Sequence, residues 1–294
     1  MDDAFSTYHP IINFFYFVVV LMFAMFITHP AYLIISLIGG IIYSCVLLGT
    51  RKSLKFNILY LLPMLFMVGV INPLFNHGGV TIIGYWWTGN PMTLESIVYG
   101  VVMAAMFISV IVWFSCYNTI MTSDKFIYLF GRVIPALSLI FSMVLRFVPK
   151  FREQMKVISQ GQKCIGRDVS NGNLIKRARN GINILSIMIT WALESSIETA
   201  DSMKARGYGL KGRTAFSIFT FDSRDKLVGS IMLVLFLIAV GGAFGGLAYA
   251  SYNPIIRYSS FTPTSIFFYS VYLIFCLMPV IVDSVEVLRW KQLK

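Results

Sequence analysis

The stretch SMKARGYGLKGR, Ser202–Arg213, sets four Lys or Arg side chains among three glycines at the end of a long helical pattern. Cationic groups on a glycine-broken helix end can grip phosphate, or they can pair with a carboxylate on another protein. Phosphate gripping needs a loop of the form GxxxxGK followed by Ser or Thr, and the chain contains none. Gly207 and Gly209 supply a helix stop, because glycine accepts the left-handed conformation that ends many helices. Lys204 and Arg206 in the last turn also suit the negative end of the helix dipole, which is reason enough for basic residues there. What lends them weight is a second glycine-flanked basic end, QKCIGRD, Gln162–Asp168, in the same region. Two such ends in one chain read as two docking points for something soluble.

Two helices must carry these ends. The first runs through GRVIPALSLIFSMVLRFVPKFREQMKVISQGQKCIGRD, with Pro135 at its start and Pro149 marking a bend. It is apolar before Pro149 and amphipathic after it, with Met155, Ile158 and Gln162 on one side and Lys150, Glu153 and Lys156 elsewhere. It is expected to leave the membrane interface near Lys150 and to end at Gly161–Gly166. The second is expected from Gly181 or Ile182 to about Arg206, a rod of roughly 37 Å at about 1.5 Å per residue. Ile182, Leu185, Ile189, Leu193, Ile197, Ala200 and Met203 recur at helical spacing, beside a largely acidic stripe of Glu194, Glu198 and Asp201.

The rest of the chain is oily. Of 294 residues 57% are hydrophobic and only 13% charged, against about a quarter charged in a soluble domain. A bilayer core takes about 20 apolar residues per helix, and six segments qualify: Ile11–Thr28, Ala31–Leu48, Phe56–Ile71, Leu94–Tyr117, Leu227–Tyr252 and Ser265–Val285. Pro30 separates the first two as a tight hairpin, and Pro63 is expected to kink the third. The fold class is therefore an all-α integral membrane protein with about six transmembrane helices and a region holding two long amphipathic ones.

Positive charge orients it. Region 119–226 holds 17 of the 24 Lys and Arg residues, the turn after the second span adds Arg51, Lys52 and Lys55, and the C-terminal end adds Arg289, Lys291 and Lys294. The loop 72–93 has no Lys or Arg, and the loop 253–264 has only Arg257. One topology satisfies every loop, with both termini and region 119–226 in the cytoplasm. The expected parts are transmembrane helices over 1–118, a cytoplasmic or interfacial region over 119–226, and transmembrane helices over 227–294. The net charge of +11 is then topological. The basic residues are spread and form no nucleic-acid motif, so no nucleic-acid partner is expected.

Other chemistries find little support. Cys45, Cys116, Cys164 and Cys276 lack CxxC spacing and read as free thiols. His9, His29 and His77 are scattered and form no metal-ligand cluster. A membrane enzyme would need clustered catalytic groups. His77 with Asn72 and Asn76 is the best candidate, and no activated nucleophile accompanies it. No charge sits at mid-depth in any span, which argues against a self-sufficient secondary transporter, although a stand-alone channel or carrier using backbone carbonyls stays open as the alternative. The acidic start MDDAFSTYHP is unlike a secretory signal. GGAFGG, Gly241–Gly246, holds two overlapping GxxxG spacings (Gly241 with Gly245, Gly242 with Gly246) that permit close helix contact, within this chain or with a partner.

Several segments together resemble one family, the transmembrane T component (EcfT) of energy-coupling factor (ECF) transporters. YHPIINFFYFVVVLMFAMFITHPAYLI resembles the family's paired start of two short spans. INPLFNHGG resembles its third span and outer loop, and GRVIPALSLIFSMVLRFVP the approach to its coupling region. ETADSMKARGYG is similar to its second Ala-Arg-Gly signature, here Ala205, Arg206 and Gly207. The family has two such motifs. Aligning Lys163–Gly166 with Lys204–Gly207 puts Cys164, Ile165 and Gly166 at the first, so that Ile165 replaces the arginine, with Lys163 and Arg167 beside it. The resemblance implies a non-catalytic coupling subunit of a vitamin or metal-ion importer in a prokaryotic plasma membrane. It implies two ABC-type ATPases as partners, the same or different, docking at Ala205, Arg206, Gly207 and at Lys163–Arg167. It further implies a membrane-embedded substrate-binding S component. No cofactor is expected on this chain, ATP and Mg being held by the ATPases. Gly241, Gly242, Gly245 and Gly246 are a further surface expected to meet the S component.

Overall fold

The computed structural model describes residues 3–85, 89–131, 135–170, 172–210 and 219–292. Lys211, Gly212 and Arg213 of the basic stretch and the C-terminal Lys294 lie outside the described residues. The chain forms two compact units, one of residues 1–126 with 219–294 and one of residues 127–218.

The first unit holds the apolar helices α1 (Pro10–Phe26), α2 (Pro30–Leu48), α3 (Thr50–Phe75), α4 (Leu94–Ile120), α8 (Ser223–Gly242) and α9 (Pro263–Gln292). All but α1 are long and apolar enough to cross a membrane. At 17 residues α1 spans about 26 Å, a little short of a bilayer core of about 30 Å. The helix α5 (Ser123–Gly131) follows α4. The all-α membrane fold read from the sequence is the one observed.

The same dipeptide starts α1 and α2. Pro10 and Pro30 occupy the first helical turn, where a missing N–H costs nothing. The preceding histidine then acts as the cap: His9 Nδ1 accepts from Ile11 N and His29 Nδ1 from Ala31 N, each at 3.3 Å. Each ring must stay neutral at Nδ1 to do this. Burial holds both imidazoles below their ordinary value of 6.5, partly opposed by Asp225 near His9 and by Ser259 near His29. A depressed histidine contributes stability that is complete above the unfolded value of about 6.5 and lost as pH falls below it. Thermal unfolding in detergent is therefore expected at lower temperature at pH 5.5 than at pH 7.5. The double variant His9→Asn/His29→Asn keeps capping oxygens and should flatten that difference; an unchanged difference would contradict the assignment.

The core lies where α2 passes between α4 and α9. Gly39 and Gly40 make room: a Cβ on Gly40 would sit 3.2 Å from the Trp113 ring, and one on Gly39 2.9 Å from Cys276 Cβ. Trp113 is fully buried, and its Nε1 donates to Ser36 O at 3.1 Å and Ser36 Oγ at 3.0 Å. Ser36 in turn shares a 2.8 Å hydrogen bond with Ser109. Tyr16 stacks on Phe275 at 5.4 Å and donates its hydroxyl proton to Cys276 O at 2.8 Å. Small residues at the crossing and short side-chain hydrogen bonds are what holds helices together in lipid, where the hydrophobic effect between them vanishes. All four cysteines are free thiols.

Several boundaries differ from the sequence reading. Helix α3 begins at Thr50, so Arg51, Lys52 and Lys55 lie in its first turns; Gly49, at φ +84°, makes the whole turn by itself. Helix α3 continues through Pro63 and Pro73. The charge-free loop 72–93 contains a hairpin of β1 (Ile82–Tyr85) and β2 (Pro91–Thr93), unforeseen because the strands are so short. The buried Glu95 at the head of α4 accepts from the Thr81 amide at 3.2 Å and from the Thr81 hydroxyl, which fixes the hairpin to the helix. At the other end, Phe5 N donates to Asp283 Oδ1 at 3.0 Å, and the buried Lys125 donates to Ser6 O at 2.6 Å and Ile120 O at 3.0 Å. Burial lowers the Lys125 pKa, with Asp3 opposing.

Candidate functional site

The second unit is built on α6 (Pro135–Cys164) and α7 (Leu174–Ala205). Helix α6 starts at the expected proline, runs through Pro149 and ends at Cys164, within the expected Gly161–Gly166. Helix α7 begins eight residues before the expected Ile182, so its 32 residues make a rod of about 48 Å. The added turns are secured from outside the helix. Asn180 Nδ2 donates to Asp168 O at 2.9 Å and Arg177 Nε to Val169 O at 2.7 Å, which ties the α6–α7 connection to the start of α7.

The two rods meet through a mixed face. The buried positions of α7 include Asn180, Ile184, Met188 and Ser195, spaced as one side of a helix. Lys150 of α6 donates to Ser195 Oγ at 3.1 Å and lies 5.2 Å over the Trp191 ring, which Phe151 meets edge-on at 5.5 Å. The lysine read as facing elsewhere is therefore part of the joint. Conversely, the apolar stripe read from the sequence points outward within this unit: Ile182, Leu185, Ile189, Leu193 and Ile197 are all more than half exposed. At about 100° per residue the two stripes lie on opposite sides of α7.

The rod ends match residue for residue. On α6, Gly166 N donates to Lys163 O at 3.0 Å and Arg167 N to Gln162 O at 2.9 Å. On α7, Gly207 N donates to Lys204 O at 2.9 Å and Tyr208 N to Met203 O at 3.0 Å. Each is the paired closure, one bond spanning six residues around one spanning four, that ends a helix on a left-handed glycine; Gly166 has φ +74° and Gly207 φ +77°. Lys163 therefore stands where Lys204 does, Cys164 where Ala205 does, and Ile165 where Arg206 does. All six are exposed. Lys204 lies 3.9 Å from Asp201, an exposed pair of little energetic weight. Among the described residues no carboxylate lies within 4 Å of Arg206. The second end thus presents an unpaired guanidinium and the exposed side chains of Tyr208 and Leu210. The first presents Ile165, with Arg167 two positions past the place of Arg206.

The glycines of GGAFGG do not share one helix face. Helix α8 ends at Gly242, and Ala243–Leu247 forms a wider turn in which Gly246 has φ +83°. Gly242 packs inside the unit, since a Cβ there would lie 2.4 Å from Phe268 Cδ1, whereas Gly241, Gly245 and Gly246 face open space. Gly242→Leu should therefore overpack the α8–α9 joint, by about 1–3 kcal/mol, while Gly241→Leu leaves the unfolding temperature nearly unchanged. Equal losses at the two positions would contradict this packing. At the end of α3 and just after it, Asn72 Oδ1 and His77 Nδ1 are buried without a hydrogen bond among the described residues, and Asn76 Oδ1 accepts from Gly78 N at 3.2 Å. No group of three His, Cys, Asp or Glu among the described residues is placed to hold a metal ion.

Fold and rod ends define a multi-pass, all-α membrane protein that displays two matched helix ends. Residues 10–218 match the family CbiQ, "Cobalt transport protein", and the chain belongs to that family. It is similar to the "Energy-coupling factor transporter transmembrane protein EcfT" of several bacteria. It is 27% identical over 236 residues to that of Brevibacillus brevis, covering 76% of this chain and 88% of the relative. It is 28% identical over 221 residues to that of Lactobacillus helveticus, covering 68% and 76%. It is 31% identical over 163 residues to that of Acidaminococcus fermentans, covering 52% of this chain and 61% of the relative, less than two thirds of its length. These matches bear out the resemblance to the T components of ECF transporters.

Proposed function

We propose that this chain is the coupling subunit of an ATP-driven ECF-type importer of a vitamin or metal ion. In this reading it links two ABC-type ATPases to a membrane-embedded substrate-binding S component, and it lies in a prokaryotic plasma membrane with both termini cytoplasmic. The observation that carries it is the pair of identically closed, exposed rod ends. A rigid helix about 45 Å long transmits a push applied at its tip, and two such rods joined through Lys150, Trp191 and Ser195 move together. Arg206 with Ala205 and Gly207 docks one ATPase, the guanidinium meeting a carboxylate. Lys163, Cys164, Ile165, Gly166 and Arg167 dock the other through a mainly apolar contact. ATP and Mg belong to the ATPases, and this subunit does no chemistry itself.

The outward stripe of α7, Ile182 to Ile197, supports the S-component assignment. An exposed apolar face this long needs a lipid or protein cover, and an uncharged one lets a partner slide. Of the glycines in GGAFGG, the open Gly241 and Gly245 remain available to that partner; Gly242 is occupied internally.

Affinity purification of the tagged chain from its native membrane tests the reading. Two ATPase subunits and at least one small membrane protein should co-purify, and ATP hydrolysis should depend on the intact complex. Recovery of the chain alone, with transport activity when reconstituted alone, would overturn it in favour of a stand-alone carrier.

A further inference from the structure

A groove of about 650 Å³ opens between the start of α8 and the end of α9, a volume in the range of ligand sites. Its floor is aliphatic, from Leu227, Val228, Ile231, Ile281 and Val285, and its mouth is formed by Tyr8, Ser223, Arg224, Arg289 and Trp290. We propose that this groove binds one anionic phospholipid, an acyl chain lying along the aliphatic floor and the phosphate on Arg224 and Arg289.

Three observations single out that occupant. First, both helices are apolar enough to span a bilayer, so a groove between them is open to lipid. Second, the cations sit only at the mouth. Lys226 and Lys291 occupy the same ends of the two helices, so the mouth lies where lipid headgroups run, and Trp290 is the residue type that favours that depth. Third, the mouth is built to hold an anion. Arg224 is positioned by the Tyr8 ring, 5.1 Å below its guanidinium, and by Glu286 at 3.7 Å. Glu286 pairs with Arg224. Arg289 has no carboxylate within 4 Å among the described residues, so a guanidinium without an ion pair stands over an apolar channel. A partner helix would bring an apolar side chain to the floor and leave Arg289 unanswered; a phospholipid answers both.

The test is native mass spectrometry of the full chain, with whatever subunits co-purify, after exchange into a one-to-one mixture of phosphatidylglycerol and phosphatidylcholine. The wild type should retain phosphatidylglycerol with a preference of about fivefold for the uncompensated arginine, the factor that about 1 kcal/mol per basic residue gives. Arg289→Gln, an exposed position, should bring the preference to about one. Ile281→Trp, which fills the floor without altering charge, should reduce retention of both lipids. Equal retention of the two lipids by the wild type would overturn the proposal, as would an Arg289→Gln variant that keeps the preference. So would a Val285→Cys variant that cross-links to a protein partner in full yield, because the groove would then hold a helix.

Discussion

Arg206→Ala is expected to disconnect the ATPases from the membrane subunit. Its guanidinium stands at the C-terminal cap of α7 with no carboxylate partner of its own among the described residues, so its charge is free for a partner. If docking desolvates that pair, truncation costs about 2–5 kcal/mol, roughly 30-fold to several-thousand-fold in affinity. Arg206→Lys keeps the charge and loses the planar fork, so it should recover only part of the loss. Ile165→Ala removes an apolar contact at the matching position of the other rod and should cost less. Pull-down of the ATPases together with uptake by whole cells measures all three. Normal co-purification with normal uptake in Arg206→Ala would end the docking role, and equal losses at Arg206 and Ile165 would contradict the ranking of the two rod ends.

Trp113→Ala is expected to have the largest effect on folding. The ring is fully buried, lies against Gly40 and neighbours Tyr16 at 6.0 Å and Tyr43 at 6.3 Å. Its Nε1 engages both acceptors of Ser36. Truncation leaves a cavity at the crossing of α2, α4 and α9 and removes the indole donor that Ser36 accepts from, for a loss of about 3–5 kcal/mol. Trp113→Phe fills most of the space and forfeits only the hydrogen bonds, so it should lose about 1–2 kcal/mol. Unfolding in a denaturing detergent series reports both; a tolerated Trp113→Ala would contradict the placement of the core.

The spans and the rod ends were legible for different reasons. A bilayer-crossing helix is a sum over some twenty side chains, so α2, α4, α8 and α9 stand out even where single residues mislead. The ends at Gly166 and Gly207 were legible because glycine has a specific conformational use there. The first eight residues of α7 were not. LIKRARNG is mostly polar and ends in a glycine, and its helix is secured by hydrogen bonds from Asn180 and Arg177 to carbonyls in the preceding connection, which no periodicity reports. The α6–α7 joint was hidden because periodicity finds an apolar stripe without saying what covers it. Within this unit that stripe is exposed, and the joint uses Lys150, Trp191 and Ser195. GGAFGG was legible in part: Gly242 packs within the chain, but GxxxG spacing aligns glycines only while the helix continues, and α8 stops at Gly242.

Sidedness of the α7 tip tests the central claim most directly. In a Cys164→Ser background, Ala205→Cys should react with a membrane-impermeant maleimide in inverted vesicles and stay unlabelled in intact cells. Labelling from the outside of intact cells would place the rod ends beyond reach of any cytoplasmic ATPase and contradict the account.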